Sequence, residues 1–190
     1  MCIRDRSYSA EQRRLQLVRG EVSLDSNPND NRPFRIDTRV GQLATLDSHL
    51  LLRENDLGLL LAVRRGDVTL FPSSASPRRV LPGETLQVWA NGSFQAVTLH
   101  SDPWGWTDGV LSVQQMPLGE FIAEVARYRP GLLRCAPEVA ELKVSGTYQL
   151  ADTGQILQLL TRSLPVRVDY RTRYWAVSYT HLTLPTKRIV

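Results

Sequence analysis

Residues 113–130 read VQQMPLGEFIAEVARYRP, and residues 148–165 read YQLADTGQILQLLTRSLP. Set 35 positions apart, the two stretches repeat one pattern. Val113 matches Tyr148, Phe121 matches Ile156, Ile122 matches Leu157, Val125 matches Leu160, Arg127 matches Arg162 and Pro130 matches Pro165. Leu118, Phe121, Ile122 and Val125 recur at helical spacing, with Pro117 in the tolerated first turn and Pro130-Gly131 past the end. In the second copy Asp152 is placed to cap a helix carrying Ile156, Leu157, Leu159 and Leu160, which Pro165 ends. Strand-like runs flank both helices: VLSVQQ, LLRCA, ELKVSGTYQL, VRVDY and YWAV. A β-α-β unit cannot bury its sheet face alone, so two copies packed together predict a small α+β domain.

Upstream of DPWGWTDG the pattern changes. RRLQLVRGEVSL reads as two short alternating strands about a tight turn at Arg19-Gly20. SNPNDNRP is a loop. The runs PFRIDT, GQLATLD, HLLLRE, GLLLAVRRGDVTLF, RRVLPGETLQVW and GSFQAVTLHS follow, punctuated by Asn-Asp, Arg-Gly, Pro-Gly and Asn-Gly turn signals. No helix-length period interrupts them. The expectation is a mainly β domain, antiparallel or solenoid-like, followed by the α+β domain.

The two ends have a different origin. Met1–Asp5 back-translates to most of the transposon end sequence used to prepare sequencing libraries. The reverse complement of that oligonucleotide encodes VSYTHLTLPT, which is Val177–Thr186. Residues 1–6 and 177–190 are therefore expected to be adapter-encoded, with the native segment running from Ser7 to about Trp175 and both native termini lying outside it. The formal charge of +4 then falls to +2, because Lys187 and Arg188 leave with the tail while Arg4 and Asp5 cancel. The basic balance that would suggest a nucleic-acid partner is thus largely lost. Cys135 becomes the lone thiol, and is expected to be buried and structural. No apolar run approaches the roughly 20 residues needed to span a bilayer.

Signals for chemistry are sparse. His49 and His100 lie in strand-like segments without a second metal ligand nearby. There is no nucleophile elbow, no phosphate-binding glycine loop and no carboxylate pair in a setting that would raise a pKa. No catalytic, cofactor-binding or metal-binding residue is assigned. Trp104 and Trp106, at the domain junction, suit either an interdomain plug or an aromatic anchor for a partner. Arg127 and Tyr128, with Arg129, suit either a cationic last turn complementing the helix dipole or a contact site.

The order of these pieces resembles the extracytoplasmic part of FecR-family regulators. The carrying residues are RRLQLVRGEVSL, PFRIDTRVGQLATLDSHLLLRE, AVRRGDVTL and RVLPGETLQV, then WTDGVLSVQQMPLGEFIAEVARYRPG and VSGTYQLADTGQILQLLTRSLPV. The resemblance implies a FecR-like β-domain at residues 7–103, truncated on its N-terminal side. It implies a domain of the secretin/TonB short N-terminal type at 104–176. Where the family has Gly-Thr before a Phe-x-Val strand, this chain has Asp47-Ser48 and His49-Leu50-Leu51, so a turn there is expected to differ.

The function implied is that of a periplasmic signal-transducing module, not an enzyme. It would bind the signalling domain of a TonB-dependent ferric-siderophore receptor in the outer membrane. The sigma factor would be reached through a missing N-terminal region, and the inner membrane through a single missing helix. Neither nucleic acid nor a cofactor is implied. Trp104, Trp106, Arg127 and Tyr128 are the candidate partner-binding residues. Two other readings stay open: a structural domain associated with secretins or receptors, and a glycan-binding module of a cell-wall enzyme in which a tryptophan stacks on sugar.

Overall fold

The run from Arg13 to Asp25 does not reverse at Arg19-Gly20. In the computed structural model of the chain it is one strand, β2, passing straight through Gly20 at φ +107°. Leu15 and Leu17 face inward before the glycine and Val22 after it, so the alternation slips by one residue there. The glycine bends the strand from one half of a curled sheet into the other, and the expected hairpin is corrected to a single strand. The structure describes the backbone of residues 2–8, 13–27, 29–172 and 175–179, and the side chains of 13–27 and 29–169.

The chain divides into two units, Met1–Leu99 and His100–Val190. In the first, β1 (Cys2–Tyr8) lies antiparallel to β2. The first half of β2 pairs in parallel with β3 (Phe34–Asp37). From there the sheet continues through β4 (Gly41–Thr45), β7 (Val68–Pro72) and β8 (Arg78–Val80), all antiparallel. The second half of β2 pairs with β5 (Ser48–Asn55), then β6 (Gly58–Gly66), β9 (Thr85–Trp89) and β10 (Phe94–Ala96). The mainly antiparallel expectation holds except at β2–β3, where the loop at 26–33 returns the chain in the same direction. Leu17, Ile36, Leu43, Leu50, Leu52, Leu59, Leu61, Leu70 and Leu86 fill the space between the two halves.

Two strand-to-strand corners touch where the chain passes from β4 to β5 and from β6 to β7. Gly66, at φ +73°, lies so close that a β-carbon on it would stand 1.8 Å from the Asp47 carbonyl oxygen. Among the described residues only Gln115 is a non-glycine with positive φ, so Asp47 and Ser48 keep ordinary backbone. The conformational freedom this corner needs is supplied by Gly66 on the facing turn. Ser48 is buried, its N–H donating to Ser26 Oγ at 2.6 Å. Buried Arg13 ties in the same corner, its guanidinium donating to the Leu46 carbonyl at 3.0 Å and the Arg32 carbonyl at 2.8 Å.

In the second unit, β11 (Val110–Pro117) leads into α1 (Leu118–Ala126) and β12 (Leu132–Cys135). Then β13 (Lys143–Gln149) leads into α2 (Thr153–Ser163) and β14 (Arg167–Thr172). β11 and β13 form a two-stranded antiparallel sheet, while β12 and β14 flank β15 (Trp175–Tyr179) in a second sheet. Each repeat thus gives one strand to each sheet rather than two strands to one. Phe121, Ile122 and Val125 share one buried cluster with Ile156, Leu157 and Leu160. Asp152 caps α2 as read, accepting from Gln155 N at 3.0 Å. α1 has no such cap; Leu118 N and Gly119 N donate instead to the carbonyls of Leu142 and Ala140. β1 and β15 both reach into the ends read as adapter-encoded; residues 1 and 180–190 of that reading lie outside the described residues.

Candidate partner-binding region

The 35-residue repeat has a geometric counterpart in the sheet β11–β13. Leu111 pairs with Tyr148, Ser112 with Thr147 and Val113 with Gly146. Ser112 and Thr147 are themselves equivalent positions of the repeat, so a local two-fold axis passes between them. Their hydroxyl oxygens stand 3.1 Å apart. On the far side of β11, the Ser112 carbonyl accepts from Asp102 N at 3.0 Å and Gln114 N donates to the His100 carbonyl at 2.7 Å. The backbone groups of Ser112 therefore point away from β13, which makes Ser112–Thr147 a pair that exchanges no ladder bonds. Thr147 must point its own N–H and C=O outward from β13 in the same way.

The two-fold partners differ in what covers them. The edge of β11 is occupied by His100–Asp102, including an antiparallel bridge from Ser101 to Val113. The edge of β13 ends the sheet among the described residues. Lys143, Ser145, Gly146, Thr147 and Gln149 are exposed along it, while Val144 is buried beneath. Opposite lies a bulge at Gln114–Gln115, where Gln115 takes φ +52° and both its N–H and its side-chain amide donate to Ser145 Oγ, at 2.9 and 3.3 Å. A seven-residue strand with one lysine and no proline is weakly guarded against pairing with another chain.

The four residues singled out from sequence take different positions. Trp104 is buried, only 9% exposed, and its N–H donates to Asp102 Oδ1 at 2.9 Å. It precedes a 3-10 turn at Gly105–Asp108 that carries Trp106. Trp106 is half-buried against the core of its own unit, with its indole N–H enclosed and lacking a hydrogen-bond partner. Tyr128 borders the same core. Arg127 is exposed at the end of α1, paired with Glu124 at 2.7 Å and with its guanidinium 5.7 Å from the Tyr128 ring centre. The structure thus gathers Trp106 and Tyr128 on one core and leaves Arg127 at its rim, with Trp104 withdrawn from solvent. Sequence reasoning did not single out the β13 edge. Its signal is a strand with one buried residue among polar ones.

Burial, with help from Glu138, raises the Cys135 thiol pKa, the opposite of an activated nucleophile. Burial raises the Tyr148 phenol too, whose ring meets Phe121 edge-on at 4.9 Å. The His100 ring Nδ1 lies 3.3 Å from a Glu120 carboxylate oxygen on the surface. Among the described residues no group of His, Cys, Asp and Glu has the arrangement of a metal site. No described helix is long and apolar enough to cross a membrane.

The FecR protein family matches residues 3–69, which runs from β1 through β6 to the first two residues of β7. The match covers about a third of the chain and lies within its first unit. The fold of the chain is similar to two crystal structures of a proposed anti-sigma factor from Parabacteroides distasonis ATCC 8503, at 1.65 and 2.50 Å resolution. The first aligns with a TM-score of 0.70 and 21% identity over 92% of this chain and 84% of that one. The second aligns with 0.69 and 21% over 92% and 83%. At this identity the likeness is one of fold, and it spans both units. No curated protein matches.

Proposed function

We propose that the chain is the periplasmic signal-transducing module of a FecR-type sigma regulator. In this reading the second unit is a domain of the secretin/TonB short N-terminal type, native from about Trp104 to Ala176. It receives the signalling domain of a TonB-dependent outer-membrane receptor. Residues 1–6 and 177–190 are adapter-encoded, and the sigma factor and inner membrane are engaged by sequence upstream. The FecR match over residues 3–69 and the likeness in fold to a proposed anti-sigma factor support this reading.

The single observation that carries the binding mode is the open edge of β13, whose Thr147 N–H and C=O face away from the sheet. A strand from the partner adds there by backbone hydrogen bonds, with the exposed side chains of β13 setting register. Thr147→Pro removes an outward N–H without touching a β11–β13 ladder bond, and proline is tolerated at sheet edges. Calorimetric titration with the signalling domain of the receptor encoded beside the gene should show binding to the wild type and at least tenfold weaker binding to T147P. Hydrogen exchange should show new protection along Lys143–Gln149. No binding by the wild type would refute the receptor as partner. Unchanged binding by T147P, without β13 protection, would refute the edge.

A further inference from the structure

We propose that the outer surface of β3, β4 and β7 is a docking trough for an acidic, apolar-rich segment of a protein partner. In this mode a bulky apolar side chain lies over Ala44 and a carboxylate meets Arg35. The surface is distinct from the β13 edge and does not depend on it. Leu43 and Thr45 point into the core, so Gln42, Ala44 and Leu46 share the outer face. Ala44 stands opposite Arg35 on one neighbour and Thr69 on the other, and Gln42 stands opposite Phe71.

Two depressions meet at Ala44: one of about 490 Å³ towards Leu46, another of about 240 Å³ towards Arg35 and Phe71. Phe71 is 44% exposed and Leu46 57%, two large apolar side chains with the small Ala44 between them. Alternate residues of a strand stand about 7 Å apart, so the trough spans about 14 Å from the Phe71 row to Leu46. Aromatic residues, phenylalanine among them, are enriched in protein interfaces relative to the rest of the surface.

Charge selects the occupant. Asp37 is held by Arg14 and by Gln42, whose side-chain amide donates to Asp37 at 2.7 Å. Asp47 shares Arg65 with Asp25, and Asp67 is paired with Arg79. Arg35 makes no ion pair among the described residues and is exposed; it acts on Asp37 only through space. One free guanidinium beside an apolar floor matches a single carboxylate next to a hydrophobic side chain. It is too little positive charge for a nucleic-acid backbone, which takes several cations at once. β4 is hydrogen-bonded on both sides, by β3 and β7, so the occupant is held by side chains and not by joining the sheet.

The test uses the whole chain as target for a phage-displayed library of random linear peptides. The strongest selected peptide, made synthetically, is the probe. Selected sequences should place Asp or Glu within a few residues of a Trp, Phe or Leu. Binding of the probe should weaken at least tenfold in Ala44→Trp, which fills the trough, and in Arg35→Gln, and should weaken with added salt. Each variant is first checked for the wild-type unfolding midpoint; if Ala44→Trp fails that check, Leu46→Asp replaces it. No enrichment, or a probe that binds all variants equally, overturns the proposal. So does wild-type self-association in sedimentation that Ala44→Trp abolishes, since the occupant would then be a second copy.

Discussion

The carbonyl oxygen of Asp47 occupies the place where Gly66 would carry a side chain. A β-carbon at Gly66 would lie 1.8 Å from that oxygen and 2.8 Å from the carbonyl carbon, with φ at +73°. Two independent obstacles therefore coincide, a backbone conformation costly for L-residues and a backbone atom that cannot move aside. Gly66→Ala should destabilise the protein by roughly 2–4 kcal/mol, more than conformational strain alone at 1–3 kcal/mol. Urea denaturation checks this. A loss below about 1 kcal/mol would mean that the two corners do not pack as described.

Glu54 is 1% exposed, with one oxygen accepting from Arg39 Nε at 3.1 Å and the other without a partner. Burial pushes its pKa above the ordinary carboxylate value, and the bonds from Arg39 offset this only in part. A folded pKa above the unfolded one means that Glu54 favours folding at low pH. That contribution is complete below about pH 4.3 and is lost as pH rises through the folded value. Glu54→Gln removes this titration, so its stability relative to wild type should climb as pH rises from about 4.3 through the folded value. Arg39→Ala should cost on the order of 1–3 kcal/mol at neutral pH and less in acid, because it strands a buried charge that acid neutralises. Denaturant titrations across the pH range read both trends; a pH-independent difference for Glu54→Gln contradicts the burial argument.

Leu157 is fully buried in the core of the second unit, one turn of helix after the cap at Asp152. Leu157→Ala should cost about 2–5 kcal/mol. Asp152→Ala should cost about 1 kcal/mol through loss of the bond to Gln155 N. Thermal unfolding followed by circular dichroism ranks the two, and the reverse ranking would contradict the assignment of α2.

Arg127 separates the two readings of its position. Its pair with Glu124 is a surface contact at i, i+3, worth about 0.2–0.5 kcal/mol, so Arg127→Ala should barely change stability. If the residue serves a partner, the same substitution weakens binding of the receptor's signalling domain at least tenfold. Titration calorimetry beside a melting curve distinguishes these outcomes, and unchanged affinity leaves Arg127 as a helix-terminal cation only.

The second unit was readable because its signal is local. Phe121, Ile122 and Val125 recur as Ile156, Leu157 and Leu160, and each trio alone specifies one buried helix face. Asp152 likewise acts three residues away. The first unit is built on relations at a distance. Whether Arg19-Gly20 reverses the chain depends on which partners flank β2, and a glycine between alternating runs fits a turn and a bend equally. The slip from Leu17 to Val22 was the one local sign of a bend. The parallel pairing of β2 with β3 follows only once the loop at 26–33 has carried the chain back to the start of β2. The candidate region divides in the same way. Tryptophans were singled out by residue type, yet Trp104 is buried, while the β13 edge is defined by which neighbour is missing, a property no residue in Lys143–Gln149 displays alone.

Duplicated domains invite polymerisation, because two equivalent edges let each copy hand a strand to the next. Here His100–Asp102 lies along one of the two and uses it up within the chain. What remains of that sheet, among the described residues, is one open edge, at β13. A strand added there would complete the sheet and leave it nothing to pass on, so duplication has here produced an end and not a link.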